Sequence, residues 1–171
     1  MELQSGVTGE GARSLGGSLI SPIERRTMSA QNKAVARRFY DAWNARDLDA
    51  FDELVAPDAQ DHDPQNPFRE MRGPAGAKRA AGMYHSAFSD GRIEIDDQIA
   101  DGDLVVTRWT GKGTQDGELM GMPPTGKWVE VSGITIDRIA GEQIAESWSC
   151  FDALGMMQQL GAVPEAQPAG A

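Results

Sequence analysis

Cysteine is almost missing from this chain, and histidine is nearly as scarce: Cys150, His62 and His85 are the only three among 171 residues. A single cysteine excludes an internal disulfide and any Cys-rich metal site. Two histidines cannot complete a typical zinc site. Cys150 sits among apolar neighbours and is expected to be a buried structural thiol, since a nucleophile needs a base beside it. No apolar run approaches the roughly 18 residues of a membrane-spanning helix. The pair Leu19-Ile20 is too short for the core of a signal peptide, and the expected location is cytoplasmic. Positive charge is also short, with 16 Lys and Arg against 26 Asp and Glu and a net charge of −10. Phosphate backbones are repelled by such a surface, so nucleic acid is excluded as a partner. The sequence carries no glycine-rich phosphate or dinucleotide motif and no carboxylates at a calcium-loop spacing. Neither metal nor cofactor is expected.

What remains is globular in kind: 40% hydrophobic and 25% charged residues, in a length that suits one domain. Residues 1–28 are rich in Gly and Ser without periodicity and read as a disordered extension. Met28-Ser29-Ala30 looks like a natural start. The stretch 164–171 is equally featureless, which leaves a folded domain over 29–163.

Hydrophobic spacing divides that domain into helices followed by strands. A first helix runs from the cap Ser29 to Arg46, with Val35, Phe39, Tyr40 and Trp43 on one stripe. Asp47 caps a short second helix burying Phe51, Leu54 and Val55, closed by Pro57. An extended piece over 59–63 leads into a Pro-rich loop. Pro74 opens a third helix, whose Ala77, Ala80, Ala81, Tyr84 and Phe88 point inward. Beyond Phe88 the period becomes two. Strands are expected from Arg92 to Asp96, Leu104 to Thr114, Lys127 to Ile139 and Gln143 to Phe151, with turns at Asp101-Gly102 and Gly141. A helix over Leu154 to Leu160 ends at Gly161. The expected fold class is α+β: a curved antiparallel sheet wrapped like a cone around three N-terminal helices, with a cavity at its open end.

The run from Gly113 through Met120-Gly121-Met122-Pro123-Pro124-Thr125-Gly126-Lys127 resembles the signature of the SnoaL-like polyketide cyclases and ester cyclases, within the nuclear-transport-factor-2-like superfamily. Arg138 to Glu146 resembles that family's hairpin, and Phe151-Asp152 with Gln158-Gln159-Leu160-Gly161 its last helix. Upstream, Phe39-Tyr40-Asp41-Ala42-Trp43-Asn44, Asp61-His62-Asp63-Pro64 and Ala87-Phe88-Ser89-Asp90 stand in the family's order. The resemblance implies an intramolecular aldol closure without cofactor or metal, on a small apolar carbonyl or ester compound, in a protein that is a homodimer. It also implies a pocket-facing His and Asp 14 residues apart. Here those positions hold Thr135 and Ser149, and a hydroxyl near its free pKa is no base at neutral pH.

His62 is the remaining candidate base, because imidazole moves protons near neutrality. Tyr40 is a candidate donor to an oxyanion. Trp43, Met83, Phe88, Trp109, Met120 and Met122 are candidate apolar lining, and Thr135, Ser147 and Ser149 candidate polar lining. By strand parity Trp148 faces away from the cavity if Ser147 and Ser149 face in. His85 is expected at the surface or an interface. Asp137 shares the parity of Thr135 and is a possible replacement carboxylate, although a solvated strand end is the ordinary expectation. Two function classes stay open: an acid/base cyclase or isomerase, and a binding protein that kept the cavity after losing the His/Asp pair.

Overall fold

A computed structural model describes residues 21–164. Helix α1 spans Pro22–Ala45 and starts a full two turns before the expected cap at Ser29. Ser21 is the actual N-cap. Its hydroxyl accepts from the Glu24 amide at 3.2 Å while its own amide donates to the Glu24 carboxylate at 2.8 Å. With proline as the first helical residue, this capping box outcompetes Ser29, whose side chain has no such reciprocal partner. Residues 22–28 therefore belong to the helix with Ser21 as its cap, and the rest of the expected extension lies outside the described residues, as does 165–171.

The second helix shrinks to one turn, α2 at Phe51–Leu54, and the chain passes straight into strand β1 at Val55–Asp61. Pro57 sits inside β1 instead of closing the helix. An edge strand tolerates that, because its outer N–H groups need no partner and the register with the neighbouring strand shifts between Val55 and Gln60. Helix α3, Gly73–Ala87, begins against this strand. A Cβ on Gly73 would stand 2.3 Å from the Pro57 carbonyl oxygen, so only glycine allows the approach.

Strands β2 (Arg92–Asp101), β3 (Leu104–Thr114), β4 (Trp128–Ala140) and β5 (Gln143–Phe151) form the antiparallel meander read from the sequence. The sheet order is β1-β5-β4-β3-β2, and β1 adds one parallel pairing at the edge. Gly141 and Glu142 both take positive φ, 58° and 66°, which makes the β4–β5 turn the tight mirror-image type that a two-residue hairpin favours. Helix α4, Ala153–Leu160, closes on Gly161 in the left-handed conformation, as expected.

Strand β4 shows how the sheet is used. Val129, Gly133, Thr135, Asp137 and Ile139 are buried on the concave side, while Glu130, Ser132 and Ile134 are exposed on the other. The helices cover the concave side in patches. Phe51 and Leu54 pack with Ala42, Val55, Ala59 and Ala81 at one end, and Phe88, Leu119, Val129, Met156 and Leu160 at the other. Phe51 is fully buried and stacks on Phe39 at 4.6 Å, a contribution of about 2 to 3 kcal/mol for the side chain. The irregular segment between β3 and β4 is organised by Gln115, which is entirely buried. Its amide donates to the carbonyls of Gly117 and Pro123 and its oxygen accepts from the Thr125 amide. One side chain thus satisfies three backbone groups of a segment that has no ladder of its own.

Candidate active site

Between the helices and the concave side of the sheet lies a cavity of about 250 Å³, a size for a small organic molecule rather than a polymer. Its wall is built in ranks across the strands. One rank pairs Thr107, Thr135 and Ser149, another pairs Asp137, Ser147 and Asp61. Because alternate strand residues share a face, these two ranks turn Thr135, Ser149, Asp137, Ser147 and Asp61 toward the cavity, with Thr107 fully buried on the same side.

Hydrogen bonds set their orientation. Trp109 Nε1 donates to Thr135 Oγ1 at 3.0 Å, and Thr135 Oγ1 lies 3.0 Å from Ser149 Oγ. The indole reaches that far because it lies over Gly133. A Cβ there would stand 2.3 Å from the ring. Ser147 Oγ donates to Asp137 Oδ1 at 2.8 Å, and no described side chain bonds the second oxygen, Oδ2. Asp61 accepts from the Asp63 amide at 2.8 Å and from Asn66 Nδ2 at 2.6 Å.

Asp137 was expected at a solvated strand end. It is instead 4% exposed, because it stands a full rank short of the turn and helix α1 covers it from above. Burial pushes its carboxyl up to about 7, the charge of Asp61 adds to the rise, and the Ser147 hydroxyl opposes it. Tyr40, 5% exposed on α1, is held protonated far above the usual phenol range, first by burial and then by the charge of Asp137, with the hydroxyls of Thr135 and Thr107 working the other way. Tyr84 is pushed up to about 12 by burial and by Asp63 and Asp61. The polar end of the cavity thus holds a carboxyl poised near neutrality beside a phenol that stays neutral.

Of the residues singled out from the sequence, Tyr40, Trp43, Phe88, Trp109, Thr135, Ser147 and Ser149 line the cavity. His62, Met83, Met120 and Met122 do not. His62 follows Asp61 on the next residue, so alternation turns it to the convex side, where it stacks on Trp148 at 4.8 Å and bonds Glu146 at 3.2 Å. Met120 is 51% exposed at a loop tip, Met122 packs against the Phe88 cluster outside the cavity, and Met83 is half-buried on the far side of α3. His85 is not at the surface. It is buried, with its ring 4.4 Å from that of Trp43, and burial pushes its pKa down. Cys150, expected to be buried, is exposed, since it has the parity of Trp148 and not of Ser149. Three cavity carboxylates, Asp61, Asp63 and Asp137, were underrated by the sequence reading. The signal was available in parity, Asp137 standing two residues from Thr135 on one strand.

The model for SnoaL-like polyketide cyclase matches residues 33–160, and the chain belongs to that family. It is similar to TsrD from Streptomyces laurentii, with 30% identity over 78% of this chain and 97% of that one and a TM-score of 0.71. IdmH from Streptomyces antibioticus, whose name carries a polyketide cyclase assignment, shares 32% identity over 77% and 99%, with a TM-score of 0.68. AclR from Streptomyces galilaeus, assigned as a hydroxylase, shares 26% identity over 81% and 86%, with a TM-score of 0.71. A comparison with curated proteins gave no match. The fold is accordingly the cone of the nuclear-transport-factor-2-like proteins. Among the described residues no group of three or more His, Cys, Asp and Glu is arranged to hold a metal ion, and no helix is long and apolar enough to cross a membrane.

Proposed function

We propose that this chain is an acid/base enzyme, a cyclase or isomerase that needs no cofactor and acts on a small, mostly apolar carbonyl or ester compound. The observation that carries this reading is Asp137, buried at the polar end of the cavity with its pKa near 7 and one oxygen without a hydrogen-bond partner among the described residues. A base poised at the working pH is the most efficient proton carrier. Ionised Asp137 takes a proton from the carbon next to the substrate carbonyl. The electron pair moves into the carbonyl, and the resulting oxyanion accepts a hydrogen bond from the Tyr40 hydroxyl. The enolate carbon then bonds to a second carbonyl carbon of the same molecule, whose oxygen takes the proton back from Asp137, or Asp137 returns the proton to a different carbon. Thr135 and Ser149, tied to each other and to Trp109, orient the ligand. His62 has no part in the step.

Proton exchange in heavy water tests this with activated ketones and methyl esters. Exchange by the wild type that is lost in Asp137→Asn and reduced in Tyr40→Phe supports it, and exchange that survives in Asp137→Asn overturns it. The second reading, a binding protein, draws on the hydroxyls Thr135 and Ser149 at the positions of the family's acid/base pair. Binding without exchange favours that reading.

A homodimer is part of the proposal. Ile99, Val106, Ile136 and Trp148 form one apolar rank across the convex side, flanked by Ile134; Ile99 is 67% and Ile134 47% exposed. A second copy laid on this face buries that surface. A monomer mass by light scattering overturns it. A cytoplasmic location goes with the same reading, since a reducing compartment keeps a lone exposed thiol such as Cys150 free.

A further inference from the structure

The charges of the cavity wall are unevenly paired. Asp61, Asp63 and Asp137 all line it, yet none of them takes part in an ion pair among the described residues. The basic side chains that reach the wall, Arg92 and Lys112, are already held from outside. Glu94 binds Arg92 at 3.1 Å and Lys112 at 2.8 Å, and Glu130 lies 3.7 Å from Lys112. They also stand at the other end of the strands, on ranks distant from Asp61 and Asp137. Among the described residues no basic side chain lines the acidic end, Arg69 acting on Asp63 from outside the lining, so that end carries a negative potential, which the low dielectric of the surroundings strengthens.

Two further observations point to a ligand and not to a solvated acidic patch. Asp137 is 4% exposed, and its Oδ2 has no described partner although it borders the cavity. The same end is walled by the rings of Tyr40, close to Asp137, and Tyr84, close to Asp61 and Asp63, and aromatic rings attract a positive charge. Asp61 is meanwhile fixed by Asn66, itself 8% exposed, so that its carboxylate is held in place before any ligand arrives.

We propose that the substrate of this site is a carbonyl compound that also bears a basic amine, bound as its ammonium between Asp61 and Asp63, with the carbonyl directed to Asp137 and Tyr40. The inference rests on the cavity being the reaction site argued above, and it names the charge of the substrate, which that reading leaves open. It also disfavours compounds presenting a free carboxylate to the polar end, because such a group faces three acidic side chains and no basic side chain lining the wall beside them.

The test is binding, measured by calorimetry at neutral pH with three probes of one skeleton: naphthylmethylamine, acetylnaphthalene and naphthoate. The amine is expected to bind at least about tenfold more tightly than naphthoate, with the ketone between them. Asp61→Asn and Asp63→Asn should each shrink that ratio, and the double substitution should abolish it. Naphthoate binding as tightly as the amine overturns the proposal, as does a preference that survives the double substitution or a failure of all three probes to bind. If the variants do not fold, the wild-type ranking alone decides. Since calorimetry reads no proton transfer, a protein that ranks the probes as stated but catalyses no exchange keeps this inference and loses the enzyme reading.

Discussion

The two sides of strand β4 are built by the same residues taken alternately, and they are chemical opposites. The concave side carries Thr135 and Asp137 in an enclosure that is otherwise largely apolar. The convex side carries Ile134 in the open and Ile136 half-buried, beside Arg138 and the stacked pair His62 and Trp148. A polar group inside an apolar shell has a perturbed pKa and few competitors for a ligand. Apolar groups on an open sheet have only another surface to bury them. One step of strand parity therefore separates a site for chemistry from a site for association.

Exchanging the chemistry on the concave side should have the largest effect. Asp137→Asn is expected to slow proton exchange by roughly 10² to 10⁴-fold, read by NMR in heavy water. It should also stabilise the protein. With a folded pKa near 7 against about 4 in the unfolded chain, Asp137 binds its proton more tightly when folded. Its contribution is fully present below pH of about 4 and is lost as pH rises to about 7, after which the loss is constant. Asn carries no such loss, so thermal unfolding at pH 8 should show the variant melting above the wild type, and the gap should close toward pH 4. A variant less stable than wild type at pH 8 removes the case for a raised pKa.

Filling the concave side comes next. Gly133→Ala places a methyl against the Trp109 ring and should cost about 1 to 3 kcal/mol in denaturant unfolding. It should also shift tryptophan emission and free the Thr135 hydroxyl. On the convex side Ile134→Glu should dissociate the proposed dimer, read as a halved mass, and leave monomer stability within about 0.5 kcal/mol. His62→Ala should be the quietest of the set. Its half-exposed bond to Glu146 contributes about 0 to 1 kcal/mol, and the exchange rate should stay within about twofold of wild type.

Much of the fold could be read because its signals are local. The change of period after Phe88, the turn at Gly141 and the Gly161 cap each depend on a few neighbouring residues. The start of α1 was also written locally, in Ser21 and Glu24, but a glycine- and serine-rich context hid it. The candidate site was harder for a different reason. Parity gave the inward turn of Ser147 and Ser149 and the outward turn of Trp148, yet whether a given rank ends under a helix or in solvent depends on where α1 and α3 settle. That is a tertiary fact, and it is what separated Asp137 from the open strand end it resembled. The convex position of His62 was hidden for a similar reason: the bend of β1 onto β5 decides which of Asp61 and His62 enters, and a five-residue segment does not reveal it.

The pairing of β1 with β5 also has a consequence in time. Asp61 and Ser147 are neighbours across that parallel edge, although 86 residues separate them in the chain (147 − 61). Contacts of such long sequence separation form late, after the loop between them has been closed. The helices and the hairpins from β2 to β4 can assemble as the chain emerges, while the rank Asp61–Ser147–Asp137 is complete only once the last strand has been synthesised and laid between its two partners. The acidic end of the cavity is thus completed only after the meander from β2 to β4 has formed.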